Sequence, residues 1–351
     1  MTPQSNPGLL GQEAAEARLL AALDSGRLPH AWLFTGPRGI GKATLAYRFA
    51  RSLLAYPDGR RGLDGSLTLE VDAEDPAFRQ VAAASHPDLV VLQRSVNEKT
   101  GKLRSEILVE AVRSAAQSLR RTASAGGWRL LIVDSADDLN RSAANALLKV
   151  LEEPPPRTLL LLIAHAPASL LATLRSRCCR LPLAPLSEPL LLRLLAEQMP
   201  DLEEADRQLL AGLGDGSIGQ ALGLQEAGGL DLYRRILGLL GRAGRPMDRA
   251  EAHALAEEIG RDTTGERFRQ ACGLLTWWLG RAVAAGARGQ PQAVLSEEER
   301  GLMEGLLARR ALADWAGLWE KLSLLTRQAD SANLDRKQAF LSVLIDLEAP
   351  A

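Results

Sequence analysis

The stretch that decides the fold is Ala31-Trp-Leu-Phe-Thr35-Gly36-Pro-Arg-Gly39-Ile-Gly41-Lys42-Ala43-Thr44. Its first five residues read as a short buried strand, and Leu45, Phe49 and Leu53, at i, i+4 and i+8, mark a helix beyond it. A strand, a glycine-rich turn and a helix in that order are the setting a phosphate-binding loop requires. Glycines let backbone N–H groups turn inward around phosphate oxygens. Lys42 reaches the outer phosphates, and the helix N-terminus adds partial positive charge. The pattern G-x-x-x-x-G-K-[ST] is incomplete, because Ala43 stands where a hydroxyl binds Mg²⁺. Thr44 comes one position later, turned away by ~100° on a helix. Gly36, Gly39, Gly41, Lys42, Ala43 and Thr44 therefore form a degenerate nucleotide site; a glycine-rich turn with no ligand is the competing reading.

Outward from this loop the first half alternates strands and helices. Leu89–Leu92, Leu130–Val133 and Leu159–Ile163 read as further strands, with Leu181-Pro-Leu183 as a short fifth. Near-continuous apolar runs suit parallel strands covered on both faces, so an α/β fold with a parallel sheet is expected. Ile107, Val112, Ala115 and Leu119 form a looser helical stripe, and a helix from Ala143 to Glu153 stops at Pro154-Pro-Pro156. Asp58–Gly65 reads as an exposed loop. Leu130-Leu-Ile-Val-Asp134 matches a Walker B strand, whose Asp helps hold Mg²⁺. A hydrolysing site usually places Glu next to orient water. Here that residue is Ser135, a poor general base.

After about Pro185 the strand signal ends. Helices are expected over Leu186–Gln198, Glu203–Leu213 and Ser217–Ala227, then through Leu230–Glu348 with breaks near Gly244–Pro246 and Gly286–Pro291. The expected domains are 1–184, 185–229 and 230–351. Trp315 and Trp319, four apart, read as core packing.

The chain has 351 residues, room for two or three domains at ~150 residues each. At 46% hydrophobic and 24% charged, it is neither disordered, collagen-like nor a disulfide scaffold. With 42 basic and 43 acidic residues, bulk charge does not drive binding to nucleic acid or membrane, though a local basic patch stays open. Few of the cations are lysines, which makes Lys42 at a motif position more informative. Cys178, Cys179 and Cys272 fit a reducing cytosol, and no Cys/His spacing resembles a zinc site. The longest apolar run, Leu159–Ala164, is far short of the ~18 residues of a membrane span, and the N-terminus shows no secretory pattern. A cytoplasmic protein without membrane contact is expected.

Asn145-Ala-Leu-Leu-Lys149-Val-Leu151-Glu152-Glu153-Pro154 is an amphipathic helix with Leu147, Leu148 and Leu151 inward. Another strand follows, then Ser176-Arg177-Cys178, which places Arg177 at an exposed edge. Together with Arg27-Leu-Pro-His30-Ala31 and the glycine loop, these strings resemble the bacterial clamp-loader branch of the AAA+ ATPases over residues 9–225. The helical tail resembles that family's C-terminal collar. The resemblance implies an AAA+ parallel sheet with helices on both faces, a small helical lid and an all-α collar for oligomerisation. Within the branch the pattern is more similar to the δ′ subunits of DNA polymerase III than to γ/τ, because every departure weakens catalysis in cis.

Those departures are Ala43, Ser135, His165 near a polar sensor position, and Gln220 where the family often carries a phosphate-sensing Arg. A His at 165 can still hydrogen-bond. The family's four-cysteine zinc module is missing, so no zinc is carried over. The resemblance implies a subunit that keeps the fold and loses turnover, with ATP in the degenerate loop and at Asp134 an open question and Mg²⁺ only alongside it. It also implies that Arg177 supplies an arginine finger to a neighbour's ATP, a role worth ~10³–10⁵ in rate. The implied partners are γ/τ and δ subunits in a hetero-oligomer of five, with the sliding clamp and primer–template DNA reached through the complex during replication. The chain would belong to a DNA-directed DNA polymerase, a nucleotidyltransferase holoenzyme, without being catalytic alone. Family members face duplex phosphates with basic residues after the second strand. Arg104, Arg113, Arg120 and Arg121 are the candidates, Arg113 and Arg120 sharing a helical face; a merely solvated charged face competes with that reading. Two other functions share the fold: a γ/τ-like ATPase in which Thr44 rescues the metal, and another AAA+ remodelling or helicase-loading protein.

Overall fold

The structure, a computed structural model, describes residues 2–97, 101, 103–121, 123, 127–240, 247–288, 297–328 and 335–348. The expected breaks at Gly244–Pro246 and, beyond Arg288, toward Pro291 lie outside these residues. Contacts divide the chain into two units: Met1–Leu194 with Gly216–Gly219, and Leu195–Asp215 with Gln220–Ala351.

The first unit is built on β1 (Ala31–Thr35), β4 (Leu89–Leu92), β5 (Arg129–Asp134), β6 (Thr158–Ala164) and β7 (Cys179–Pro182). They form one parallel sheet in the order β4-β5-β6-β1-β7, and the parallel pairing is as expected. Alternate residues supply two cores. Trp32, Phe34, Ile132, Leu161 and Ile163 pack with Leu45, Phe49 and Leu53 of α2 (Lys42–Ala55) and Leu19 of α1 (Glu13–Asp24). On the other face Leu33, Leu131, Val133, Leu160 and Leu162 meet α4 (Val109–Leu119), α5 (Arg141–Glu152) and α6 (Ala172–Arg175). Each fully buried Leu contributes about 1.5–3 kcal/mol, which is why the central strands tolerate no polar interruption.

Local sequence sets the helix ends. Asn140 caps α5 by accepting a hydrogen bond from Ala143 N at 2.8 Å. The same helix stops at Glu152, because Glu153, at φ −129°, precedes the proline run and leaves the helical region. Leu147 and Leu151 are buried and Leu148 partly so.

Some expectations are corrected. Ile107 is buried but precedes α4; it pairs in a bridge with Leu139 rather than joining the helical stripe. The 58–65 loop contains β2 (Arg60–Arg61), which pairs antiparallel with β3 (Leu67–Thr68), completing a small ribbon. α3 (Pro76–Ala82) follows it, and α7 (Glu188–Gln198) follows the sheet.

Beyond the sheet, α8 (Glu204–Gly214), α9 (Ile218–Glu226), α10 (Gly229–Leu240), α11 (Arg249–Arg261), α12 (Glu266–Arg288), α13 (Glu297–Leu307), α14 (Leu312–Gln328) and α15 (Arg336–Glu348) match the all-helical expectation. Trp278 and Trp315 are core residues of the second unit, whereas Trp319 is 39% exposed and spans to α12 by donating from Nε1 to Thr276 O at 3.1 Å. Pairing Trp315 with Trp319 as core is thus half right. Among the described residues no helix is long and apolar enough to cross a membrane.

Candidate functional site

Register brings the motif residues together. Thr35 of β1 pairs with Ala164 of β6, and Asp134 of β5 pairs with Ile163. The loop after Thr35, Ser135 and His165 therefore leave the sheet side by side at the carboxyl ends of its strands, where open α/β sheets bind ligands.

Gly41 begins α2 at φ +98°, a left-handed conformation that suits glycine, so the turn into Lys42 needs it. Lys42 is buried and curls back over its own loop, donating from Nζ to Gly36 O at 2.6 Å and to Pro37 O. Burial lowers its pKa to about 8, with Asp137 and Asp134 pulling the other way, so it stays largely charged at neutral pH. Ser217 Oγ donates to Arg38 O at 2.8 Å and Gly219 N to Gly39 O at 3.0 Å. A Cβ at Gly219 would lie 2.8 Å from Gly39 Cα, so this close approach of two backbones needs glycine. The glycine loop and Lys42 are the groups that would hold a phosphate here. The residues do not fit a Mg²⁺ ion, because Ala43 has no side-chain oxygen and Thr44 is buried in α2.

Asp134 is half-buried, and burial raises its carboxyl pKa against the pull of Arg38 and Lys42. Beside it Ser135 Oγ and His165 Nε2 are 2.8 Å apart. The Asp137 carboxylate fixes that pair from below, accepting from His165 N at 2.5 Å and Ala166 N at 3.1 Å. Burial, then Lys42 and Arg38, pushes the His165 imidazole down to about 4, so it is neutral at pH 7. Where a hydrolysing site places an acid, this site holds a neutral hydroxyl–imidazole pair. Gln220, in the second unit, donates to Leu213 O at 3.0 Å.

Arg177 is not part of this edge. It follows α6, with its side chain 37% exposed. Nη1 donates to Thr173 O at 3.1 Å, and Nη2 pairs with Glu152 Oε1 at 2.8 Å. Sequence reasoning missed this pairing and the packing of Ser217 and Gly219 on the loop. The only available signals were a glutamate at the end of a leucine-rich helix and a glycine at each side of the approach.

The four arginine candidates do not form one helical row. Arg113 is exposed on α4, whereas Arg120 is the residue that closes the helix and Arg121 lies beyond it, both exposed. Arg120 keeps a right-handed helical backbone, φ −85° and ψ −11°, so it continues the turn that carries Arg113. Arg129 fixes the end of α4 by donating to Leu119 O at 2.7 Å and Arg121 O at 2.6 Å. Arg104 precedes the helix, half-buried, its backbone N–H bonded to Ser95 O at 2.9 Å.

Similarity to known proteins follows the same residues. The family model described as "DNA polymerase III, delta subunit" matches residues 11–187. The DNA polymerase III subunit delta′ of Pseudomonas aeruginosa is 41% identical over 187 residues, covering 52% of this chain and 52% of that protein. The delta′ subunit of Escherichia coli is 35% identical over 210 residues, 59% of this chain and 58% of that one. The gamma/tau subunit of Mycobacterium tuberculosis is 32% identical over 256 residues, 68% of this chain and 40% of that one. The chain spans about half the length of the curated relatives it matches. The matched span holds the glycine loop, the Ser135–His165 pair and Arg177, and the chain belongs to the DNA polymerase III delta-subunit family.

Proposed function

We propose that the chain serves as the δ′ subunit of a DNA polymerase III clamp loader, a scaffold that does not itself hydrolyse ATP. It lends Arg177 in trans to ATP held by a neighbouring γ/τ-type subunit and so supports loading of the sliding clamp on primed DNA in the cytoplasm. The observation that carries this reading is the Ser135–His165 pair, a hydroxyl bonded to an imidazole where hydrolysis needs an acid. Ala43 points the same way. Lys42 and the glycine loop are the groups that would hold the phosphates of a bound ATP, whose charge would add to the scaffold; position 43 offers Mg²⁺ nothing. Thr44, buried in α2, gives no support to a rescued ATPase. γ/τ and δ subunits are the proposed direct partners, and the segments 1–184, 185–229 and 230–351 the proposed nucleotide-fold, lid and collar domains.

The purified chain is expected to hydrolyse ATP at background rate, and to raise DNA-dependent turnover when added to γ/τ-type ATPase subunits. Steady hydrolysis by the chain alone contradicts the reading.

Arg104, Arg113, Arg120 and Arg121 are proposed to face duplex phosphates. Alanine at all four should make the log–log salt dependence of primer–template binding by the complex shallower, by about 0.9 for each phosphate no longer neutralised. An unchanged slope removes these residues from the DNA surface.

A further inference from the structure

We propose that Glu152 is the positioning residue for Arg177, holding its guanidinium ready for the neighbour's nucleotide. The inference rests on the trans-acting reading above and deepens it.

Glu152 is the last residue of α5, where a carboxylate opposes the helix macrodipole. The leucines of the helix account for its packing and the prolines for its stop. Neither needs a glutamate at this half-exposed end. The ion pair with Arg177 supplies the reason. It places a cation at the C-terminus of α5, offsetting the misplaced carboxylate, and it restrains a long side chain that is otherwise free to sample many rotamers. With Nη1 on Thr173 O and Nη2 on Glu152, two of the five guanidinium N–H donors are committed, which leaves three for a phosphate.

The end of α5 that carries Glu152 is packed and hydrogen-bonded from behind. Leu147 and Leu151 of α5 share one buried core with Leu174 of α6, which ties the two helices together. The carbonyl of Leu151 accepts a hydrogen bond at 3.0 Å from His30 Nε2, at the start of β1. Three separated strings, Arg27–Ala31, Asn145–Pro154 and Ser176–Cys178, thereby meet at one point. His30 holds the helix end, the helix end holds Glu152, and Glu152 holds Arg177.

The test is steady-state turnover of ATP by a loader reconstituted from γ/τ-type ATPase subunits and the full chain, on primed DNA. Glu152→Ala should lower kcat at the adjoining site by about tenfold with KM for ATP unchanged. That lies between the small worth of an exposed ion pair and the ~10²-fold that a 1 Å misplacement costs. Glu152→Gln keeps an oxygen acceptor at the same reach and should recover most of the rate, which a purely charge-based role would not allow. Glu152→Ala combined with Arg177→Ala should be no slower than Arg177→Ala alone. Glu153→Gln, the same charge change one residue along, should leave the rate intact. Full turnover by Glu152→Ala in a loader that Arg177→Ala disables would overturn the positioning role and leave the finger standing. A double variant slower than Arg177→Ala would also overturn it. Full turnover by Arg177→Ala would instead sink the trans-acting reading itself.

Discussion

Replacing Arg177 with alanine should lower ATP turnover at the adjoining γ/τ-type site by about 10³-fold or more, while the chain still folds and joins the complex. The size follows from the chemistry. Charge spreads over the equatorial oxygens of the transferred phosphoryl group, and a permanently charged fork placed against them acts in the transition state rather than on binding. KM for ATP should therefore change little and kcat should carry the loss. Folding is spared because the side chain is partly exposed and its one ion pair is of the kind worth at most about 1 kcal/mol. Arg177→Lys keeps the charge but not the fork, and should recover only a minor share of the rate. Single-turnover hydrolysis on primed DNA measures both. Wild-type kcat with Arg177→Ala at full assembly would remove the finger.

The second large effect is on stability. Arg51 is buried in α2, donates from Nη1 to Gln4 O at 3.0 Å and from Nη2 to Asn6 O at 2.6 Å, and lies 4.3 Å from the centre of the Phe78 ring. Burial, then Arg48, lowers its pKa to about 10, which still leaves it charged at neutral pH. It pins the N-terminal segment, whose Leu9 packs against Gly41 and whose Gln12 amide bonds Ile40 O at 3.0 Å. Arg51→Ala forfeits two charge-assisted hydrogen bonds and a cation–π interaction. The freed carbonyls regain water as the segment peels away, so the net cost is about 3 kcal/mol. For a unit of this size that is a fall in Tm of about 6–12 °C, with faster proteolysis within residues 2–8. A Tm within about 2 °C of wild type would show that the segment is held by something else.

What the sequence made legible follows from burial. β6 is seven residues of unbroken burial, so its apolar run announced a parallel strand covered on both faces. The glycine loop was legible because a left-handed turn into a helix admits few residues besides glycine. The ribbon of β2 and β3 was not, because two exposed residues per strand carry no alternation to read. Ile107 misled because burial in a bridge looks the same in a sequence as burial on a helix. Arg113 and Arg120 have the spacing of one face, and Arg120 closes α4 with its backbone still in the helical region.

At the site, residue types were legible and their pairings were not. Ala43 and Ser135 stand out against a motif. That Ser135 finds His165 depends on strands β5 and β6 being neighbours, which only the sheet order decides. Glu152 ends α5 and Arg177 lies 25 positions later, beyond the end of α6, and no periodicity links them.

The most direct measurement is the structure of the assembled loader with a non-hydrolysable ATP analogue and primed DNA. The Arg177 guanidinium should lie within charge-assisted hydrogen-bond reach, ~2.7–2.9 Å, of the neighbour's γ-phosphate. A guanidinium well beyond any phosphate of the adjoining subunit, in an assembly competent for hydrolysis, would contradict the account.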